Sequence, residues 1–246
     1  MSPSDTTPDR PGAELSVVIP AFNEEVRLGS TLEKIIGYLD SRALSYEILV
    51  SDDGSTDGTA AVAEAFAERG VKVLRVPQNQ GKGAATRRGV RESIGQGVLL
   101  TDADLSTPIE EIAKLEPHLD EAEVVIGSRA VPGSRITIHQ PFYRELMGKT
   151  FNKMIRLAGV WGINDTQCGF KLLRGETARA LFADLVTPGF AFDVELVWLA
   201  RRRGHRIVEV GVTWENSPAS RVHPLTDPPR MLLEMIRFRL KHRGRS

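Results

Sequence analysis

Two aspartates separated by one residue, Asp102 and Asp104, directly follow a short apolar run at residues 97–101. Carboxylate oxygens are hard ligands that Mg²⁺ and Mn²⁺ prefer, and a cation held this way completes its shell with phosphate oxygens. Such a cation offsets the charge on a diphosphate leaving group. The pair therefore predicts a Mg²⁺ or Mn²⁺ site. An Asp-x-Asp pair is not specific by itself, and Asp104 could instead prepare a helix start at Thr107.

A second group of candidates surrounds the glycine-rich turn at residues 81–83. The turn matches neither the phosphate-binding P-loop nor the dinucleotide fingerprint, because its spacing differs and Thr86 stands where the latter needs a small residue. Lys82 could still reach a phosphate or an acid on a neighbouring loop, or the segment could be a plain turn. Asp52 and Asp53 are either turn residues or acceptors for a base N–H or a ribose hydroxyl.

The elements that must position these candidates follow from hydrophobic periodicity. Apolar, β-branched runs predict strands at 15–20, 46–51, 71–76, 97–101, 123–127, 170–173 and 206–214. Helices are predicted at 28–39, 59–69, 82–94 and 141–159, and from Thr107, whose Pro and Glu neighbours suggest a capping box. Strands that alternate with helices predict a doubly wound, mostly parallel α/β sheet with helices on both faces. Ligands of such sheets bind beyond the carboxyl ends of the strands, where the candidate residues lie.

Composition excludes several classes of protein. The 246 residues include 32 Lys+Arg and 32 Asp+Glu, and a net charge of zero argues against a protein whose whole surface binds nucleic acid. The lone cysteine, Cys168, excludes an intramolecular disulfide and a cysteine-cluster metal site, and is best explained as a buried, inert thiol. The longest run without an acidic or basic residue is nine residues, against about 20 for a membrane span. Without a span or a secretory signal, the predicted location is cytoplasmic.

Positive charge is concentrated near the C-terminus, where residues 230–246 hold six Lys/Arg and one Glu. Apolar residues at helical spacing in the same segment predict an amphipathic helix. The helix either packs on the core or lies on an anionic membrane surface through Leu232, Met235, Ile236 and Phe238. The predicted organisation is a disordered tail over 1–14, one domain over 15–228 and a basic amphipathic segment over 229–246.

Several motifs, taken as a set, resemble those of the family 2 glycosyltransferases, which have the GT-A fold. They are SVVIPAFNE at 16–24, DDGSTDGT at 52–59, QNQGKG at 78–83 and TDAD at 101–104. Further segments are similar to the polyprenyl-phosphate branch, above all to dolichyl-phosphate β-glucosyltransferases. They are GSR at 127–129, DTQCGFK at 165–171, FDVE at 192–195 and SRVHP at 220–224.

The resemblance implies an inverting transfer of a hexose from a nucleotide sugar to a polyprenyl or dolichyl monophosphate, with a divalent metal. UDP-glucose is the implied donor, and GDP-mannose is its main rival. The implied nucleotide-sugar-binding residues are Pro20, Phe22, Glu24, Asp53, Lys82 and Asp102. The implied metal ligands are Asp102 and Asp104, the implied acceptor-binding residues are Arg129, Gln167, Lys171 and Arg221, and the implied catalytic residues are Asp102, Asp104, Arg129 and Arg221.

The implied chemistry is coherent. A phosphate monoester has a second pKa of about 6, so at neutral pH it is mostly a dianion that can attack without a strong base. The protein must instead position two anions and suppress their repulsion with cations. Two positions depart from the family pattern: Arg221 replaces a frequent Lys, and Ser106 replaces a residue that supports the metal in some relatives.

Other functions remain open at this stage. The chain could be a GDP-mannose-dependent polyprenyl-phosphate mannosyltransferase, a GT-A enzyme with a soluble acceptor, or a regulatory module that binds nucleotide sugars without turnover. A lipid acceptor would require peripheral contact with the cytoplasmic face of a membrane, and no nucleic-acid partner is expected.

Overall fold

A computed structural model of the chain describes residues 12–138, 161–215 and 227–243. Most of the predicted tail, the predicted helix over 141–159 and Arg221 lie outside these residues. Ala13 is buried and the Glu14 amide donates to Ser45 O (2.9 Å), so residues 13 and 14 belong to the folded domain rather than to the predicted tail.

The main sheet contains seven strands within the described ranges, in the order β3-β2-β1-β4-β7-β5-β8. They are β1 Leu15–Ala21, β2 Tyr46–Asp52, β3 Val71–Arg75, β4 Gly97–Leu100, β5 Val124–Ser128, β7 Lys171–Arg174 and β8 Ile207–Gly211. All neighbouring pairs are parallel except those of β7, which runs antiparallel to β4 and β5. The predicted mostly parallel sheet is confirmed.

A small second sheet pairs β6 (Arg135–Ile138) with β9 (Thr213–Glu215) in parallel. The single strand predicted at 206–214 is therefore two strands in two sheets. The break falls at Val212, whose side chain is fully buried and whose amide donates to Ser128 O (3.2 Å). Anchoring at Val212 ends β8 and redirects the chain toward β6.

The helices cover both faces of the sheet. The α-helices are α1 Leu28–Asp40, α2 Thr59–Glu64, α3 Lys82–Glu92, α4 Ile112–Leu115, α5 Gly175–Asp184, α6 Phe192–Arg202 and α7 Asp227–Arg243. Short 3₁₀ turns occur at Ala67–Arg69, Ile109–Glu111 and Glu116–Asp120. The helix predicted over 59–69 is thus shorter than expected and ends in a 3₁₀ turn.

Two helix starts test the predicted capping chemistry. Asp57 is expected to cap α2, and its carboxylate does accept the Thr59 amide (3.0 Å), but the cap position is held by Gly58, which makes no side-chain bond. The capping box predicted at Thr107 is wrong, since the turn that follows has no side-chain cap. Pro108 is extended there, with ψ of 143°, so the chain enters a 3₁₀ turn instead of an α-helix.

Alternation along the strands separates two hydrophobic cores. Val18 of β1 packs in the core beneath α3, α5, α6 and α7, whereas Val17 and Ile19 pack in the opposite core beneath α1 and α4. All three side chains are fully buried. Because both faces of the parallel strands are covered, the strand ends are the accessible part of the sheet.

Helix α7 confirms the predicted C-terminal helix and resolves part of its packing. Met231, Met235 and Phe238 are buried in the same core as α6, so Met235 and Phe238 are not available to a membrane. The Phe238 ring lies 5.6 Å from that of Trp198 on α6. Within the described ranges, every helix is too short or too polar to cross a membrane.

Candidate active site

The loops that follow β1 and β2 are joined by side-chain hydrogen bonds. Asn23 has a positive φ of 53°, and its amide donates to Ser55 Oγ (2.8 Å). Its side-chain oxygen accepts the amide of Thr56 (2.8 Å), and the Glu24 amide donates to Thr59 Oγ1 (2.6 Å). These bonds fix the loop that carries Phe22 and Glu24 at the carboxyl end of the sheet.

Asp53 ties the turn after β2 to the turn before α3. Its Oδ2 accepts the amides of Gln80 (3.1 Å) and Gly81 (2.7 Å). Gly54, with φ of 76°, lets the two turns approach, since a Cβ there would lie 2.7 Å from the Gln78 carbonyl carbon. Asp53 Oδ1 is buried without a hydrogen bond among the described residues, and lies 3.6 Å from Arg88.

The glycine-rich turn positions Lys82 as the first residue of α3. Gly81 has φ of 105°, and a Cβ there would clash with the carbonyl oxygen of Pro188. The Lys82 ammonium lies 2.7 Å from Asp102 Oδ1. The predicted contact between Lys82 and an acid on a neighbouring loop is therefore confirmed, and the turn has a positioning role that a plain turn lacks.

Charge pairing keeps both members of this contact ionised. Burial alone would lower the pKa of Lys82, but the negative charges of Asp102 and Asp193 raise it above its usual range. Burial would raise the pKa of Asp102, but the charge of Lys82 holds it below its usual range. The Asp102 carboxylate is part-exposed and stays ionised, so it can ligate a cation.

Asp104 is oriented by the residue two positions further along. Its Oδ1 accepts from the amide (3.1 Å) and the hydroxyl (2.9 Å) of Ser106, and its Oδ2 lies 3.7 Å from Arg27 Nη1. Arg27 also forms an ion pair with Glu24. Ser106 thus holds the Asp104 carboxylate in place.

One cavity of about 700 Å³ lies at these strand ends. All six residues predicted to bind the nucleotide sugar line it, and so does Asp104. The lining residues are Pro20, Ala21, Phe22, Glu24, Arg27, Asp53, Asn79, Gln80, Gly81, Lys82, Ala85, Asp102, Ala103, Asp104, Pro188, Gly189, Phe190, Arg230, Met231 and Glu234.

The donor set fits a cation that arrives with a diphosphate. Among the described residues, His, Cys, Asp and Glu form no group of three or more that could hold a metal ion. Asp102 and Asp104 line the cavity together, and Mg²⁺ in proteins is usually held by one or two carboxylates plus substrate phosphates. The residues therefore fit a shared metal–diphosphate site rather than a preformed cage of protein ligands.

Arg129 lies in a structural ion pair. Its guanidinium makes two hydrogen bonds to the buried carboxylate of Asp165 (2.7 and 2.8 Å) and lies 5.2 Å from the centroid of the Trp214 ring. Burial would lower the pKa of Arg129, and the charge of Asp165 raises it above its usual range. Arg129 is part-exposed, but it is outside the lining of the cavity. The acceptor-binding and catalytic roles that the resemblance implies for Arg129 do not fit this pairing.

Lys171 is fully buried, which does not fit the direct acceptor contact implied by the resemblance. Its ammonium donates to Cys168 O (2.5 Å) and forms an ion pair with Asp193 on α6. Burial raises the pKa of Asp193, against the opposing charge of Lys171. Gln167 is half-buried beside the cavity, with Nε2 3.9 Å from Met231 Sδ.

Three residues that line the cavity, Arg27, Arg230 and Glu234, were not among the predicted site residues. Glu234 is buried on α7 and accepts the amide of Ala191 (3.2 Å), which supports the loop that contributes Pro188 and Phe190 to the cavity. In the sequence, Glu234 could have been noticed as an acid among the apolar residues of the predicted C-terminal helix. Arg27 could have been found from its i+3 spacing to Glu24.

The chain belongs to the family described as Glycosyl transferase family 2, whose model matches residues 16–182. It is a glycosyltransferase, as the resemblance implied. It is 35% identical to a dolichyl-phosphate beta-glucosyltransferase of Dictyostelium discoideum over 93% of this chain and 74% of that protein. Identity to the human dolichyl-phosphate beta-glucosyltransferase is 34%, over 95% of this chain and 77% of that protein.

Solved structures establish the fold. Mannosyl-3-phosphoglycerate synthase from Rubrobacter xylanophilus superposes with a TM-score of 0.68 at 25% identity, covering 95% of this chain and 76% of the other. Glucosyl-3-phosphoglycerate synthase from M. tuberculosis gives 0.67 at 24% identity, with coverages of 95% and 81%. The mycobacterial enzyme has also been crystallised with Mn²⁺, UDP and phosphoglyceric acid. The predicted GT-A fold is confirmed.

Proposed function

We propose that this chain transfers glucose from UDP-glucose to a polyprenyl or dolichyl monophosphate, with inversion at the anomeric carbon. The observation that carries the proposal is the joint placement of Asp102, Asp104 and Lys82 in one cavity at the strand ends. The sugar and the acceptor class are supported by the two relatives named above, which align with more than nine-tenths of this chain.

The donor occupies the cavity of about 700 Å³, which is within the usual range of small-molecule sites. Pro20, Phe22 and Asp53 contact the nucleoside, and Glu24 holds this wall in shape through its ion pair with Arg27. The Lys82 ammonium lies close enough to Asp102 to contact the diphosphate as well.

A divalent cation, Mg²⁺ or Mn²⁺, would be held by Asp102 and Asp104, and when bound it would supply positive charge to the diphosphate leaving group. Lys82 supplies a fixed positive charge at the same place. A positive charge that the folded protein already holds beside the leaving group stabilises the transition state, and the site does not need to rearrange during the reaction. Ser106 keeps Asp104 oriented through its two hydrogen bonds.

The acceptor phosphate approaches as a dianion at neutral pH, because its second pKa is about 6. One of its oxygens forms a bond to the anomeric carbon while the bond from that carbon to the diphosphate breaks. UDP then leaves with the electron pair. We assign Gln167 and Arg221 to the acceptor side. We reassign Arg129 to its structural ion pair with Asp165, and Lys171 to positioning Asp193 and the Cys168 carbonyl. Since the donor is a nucleotide sugar and the acceptor a lipid, we place the reaction at the cytoplasmic face of a membrane.

A panel of donors and acceptors tests the proposal. The purified chain is incubated with UDP-glucose or GDP-mannose and with dolichyl phosphate or 3-phosphoglycerate, with Mg²⁺, Mn²⁺ or EDTA, and products are identified by mass. We expect glucosyl phosphodolichol from UDP-glucose in the metal-containing reactions. If only a mannosyl product forms, the donor is GDP-mannose instead of UDP-glucose. If product forms only on 3-phosphoglycerate, the acceptor is a soluble phosphate instead of a lipid phosphate. Donor binding without any product would favour the regulatory module.

A further inference from the structure

Helix α7 carries a second apolar stripe on the side that faces away from the core. Leu233, Ile236 and Leu240 are 55%, 50% and 61% exposed, and their spacing of three and four residues aligns them along one line of the helix. The residues that pack into the core, Met231 and Phe238, lie on the opposite side. Single exposed leucines are ordinary, but an aligned stripe of three marks a surface that contacts something apolar.

Basic residues border this stripe on both sides. At 3.6 residues per turn, Arg237 and Lys241 lie along one side of the stripe, and Arg239 and Arg243 lie along the other. The described side chains of α7 include one acid, Glu234, which is buried and faces the cavity. The outward surface of α7 is therefore an apolar line between two positively charged borders.

We propose that the outer stripe of α7, formed by Leu233, Ile236 and Leu240, docks on an anionic membrane surface. An apolar line with basic residues on both flanks is the pattern of a helix that lies in the plane of a bilayer interface. The apolar side chains enter the boundary between head groups and acyl chains, and each flanking Lys or Arg adds attraction to anionic lipid. The charge on both flanks favours an anionic bilayer over a neutral apolar protein surface.

Docking through this stripe does not require α7 to leave the core. His242 on its buried side lies 2.7 Å from the Glu195 carboxylate of α6, and the Arg202 side chain donates to the His242 carbonyl (3.0 Å). Core packing and membrane contact, which were alternatives for this helix in the sequence, use opposite sides of it. The folded protein therefore presents the stripe already formed.

The same helix connects the docking surface to the cavity. Arg230 and Glu234 line the cavity from the first turns of α7. An α-helix with its side chains is about 10–12 Å wide, so the cavity wall lies roughly one helix width from the lipid surface. This inference deepens the proposed function, and rests on it, because it names the surface that brings the donor cavity to a lipid phosphate.

Vesicle co-sedimentation of the full chain tests the surface without any reaction. The vesicles are phosphatidylcholine alone or phosphatidylcholine with about 30% phosphatidylglycerol, and contain no polyprenyl phosphate. We expect binding to the anionic vesicles, little binding to the neutral ones, and loss of binding when salt is raised from about 0.05 M to about 0.5 M. The triple variant L233S/I236S/L240S should lower binding at least about tenfold.

A charge variant gives a second, independent measurement. R237Q/K241Q should weaken binding to anionic vesicles several-fold, whereas K34Q/R91Q, which removes the same charge from exposed positions on α1 and α3, should leave binding unchanged. Thermal melting and UDP affinity confirm that each variant is folded. If the triple variant does not fold, the two charge variants still decide the question.

Three results would overturn the proposal. The first is unchanged vesicle binding in both α7 variants. The second is a loss of vesicle binding in K34Q/R91Q that equals the loss in R237Q/K241Q. The third is a wild-type protein that binds no vesicles and forms a dimer, which the triple variant converts to a monomer in sedimentation velocity. The last result would assign the stripe to a second copy of the chain. Because the readout is binding, a chain that docks on vesicles but transfers no sugar would contradict the proposed function and leave the docking surface in place.

Discussion

The ammonium of Lys82, at the first residue of α3, lies 2.7 Å from Oδ1 of Asp102 at the end of β4. The lysine therefore neutralises one of the two carboxylates that we assign to the metal. A cation that binds Asp102 must compete with Lys82 or share the carboxylate with it. This competition gives Lys82 a measurable effect on metal affinity, separate from its contact with the donor.

Replacing Lys82 by Met should change two affinities in opposite directions. Without the donor, Mn²⁺ should bind more tightly, because Asp102 loses its competing partner. Without metal, UDP should bind about tenfold more weakly, because one charge-assisted hydrogen bond to the diphosphate is lost. Calorimetric titration measures both. Lys34→Met, at an exposed position on α1, is the control, and weaker or unchanged Mn²⁺ binding by Lys82→Met would contradict the competition.

Asp104→Asn should remove most glucosyl transfer and leave the fold intact. The amide oxygen can still accept from Ser106, but it carries no charge for a cation. We expect kcat/KM to fall by at least about 100-fold, as when a group that stabilises developing charge is lost. The control, Asp120→Asn, makes the same change at an exposed carboxylate. Full turnover by folded Asp104→Asn in EDTA would refute the assignment.

Arg129→Ala should destabilise the protein by about 3 kcal/mol, because it leaves the buried carboxylate of Asp165 unpaired. Arg42→Ala is a matched control, since Arg42 forms a similar two-bond pair with Glu116 at a more exposed site. That control should cost less than about 1 kcal/mol. Urea unfolding measures both. The double variant R129A/D165A should recover part of the lost stability. Equal losses of stability in Arg129→Ala and Arg42→Ala would argue against a structural role of Arg129.

Cys168 should be inert in the native protein. Its side chain is 2% exposed, and burial raises the pKa of its thiol to about 11. The reactive thiolate is scarce well below that pH, so a thiol reagent at about pH 8 should react at least about 100-fold more slowly with the native than with the unfolded chain. Because Cys168 is the single cysteine, the measured rate belongs to it. Equal rates in the two states would reveal an exposed, activated thiol.

Of the first five strands, β1, β2, β4 and β5 could be predicted as largely apolar runs that are buried on both faces. The edge strand β3 could be predicted from its two valines and its leucine, although Lys72 and Arg75 are exposed. The rule that ligands bind beyond strand ends then brings Asp53, Lys82 and Asp102 to one place, as the cavity shows. The position of β7 could not be predicted, because a short apolar run carries no information on its direction or its neighbours. The antiparallel insertion of β7 between β4 and β5 depends on tertiary contacts.

Burial explains the main differences at the site. The resemblance implies acceptor roles for Lys171 and Arg129, but the environments of these residues depend on distant partners, Asp193 and Asp165. Arg230 and Glu234 reach the cavity from a helix about 130 residues after the Asp102 loop, and no local spacing encodes such a contact. The outer stripe of α7 became visible once the residues on its buried side were known.

The match to the family ends at residue 182, but the protein does not divide there. Val18 of β1 packs in the same core as Val194 and Phe238. The carbonyl oxygens of Thr187 and Pro188 lie close to the glycine turn that carries Lys82. A recombinant fragment cut after residue 182 would expose that core and open the donor cavity on one side. The end of the family match is therefore not the edge of a unit that folds alone, and the similarity to the two dolichyl-phosphate beta-glucosyltransferases, which covers more than nine-tenths of the chain, continues past it.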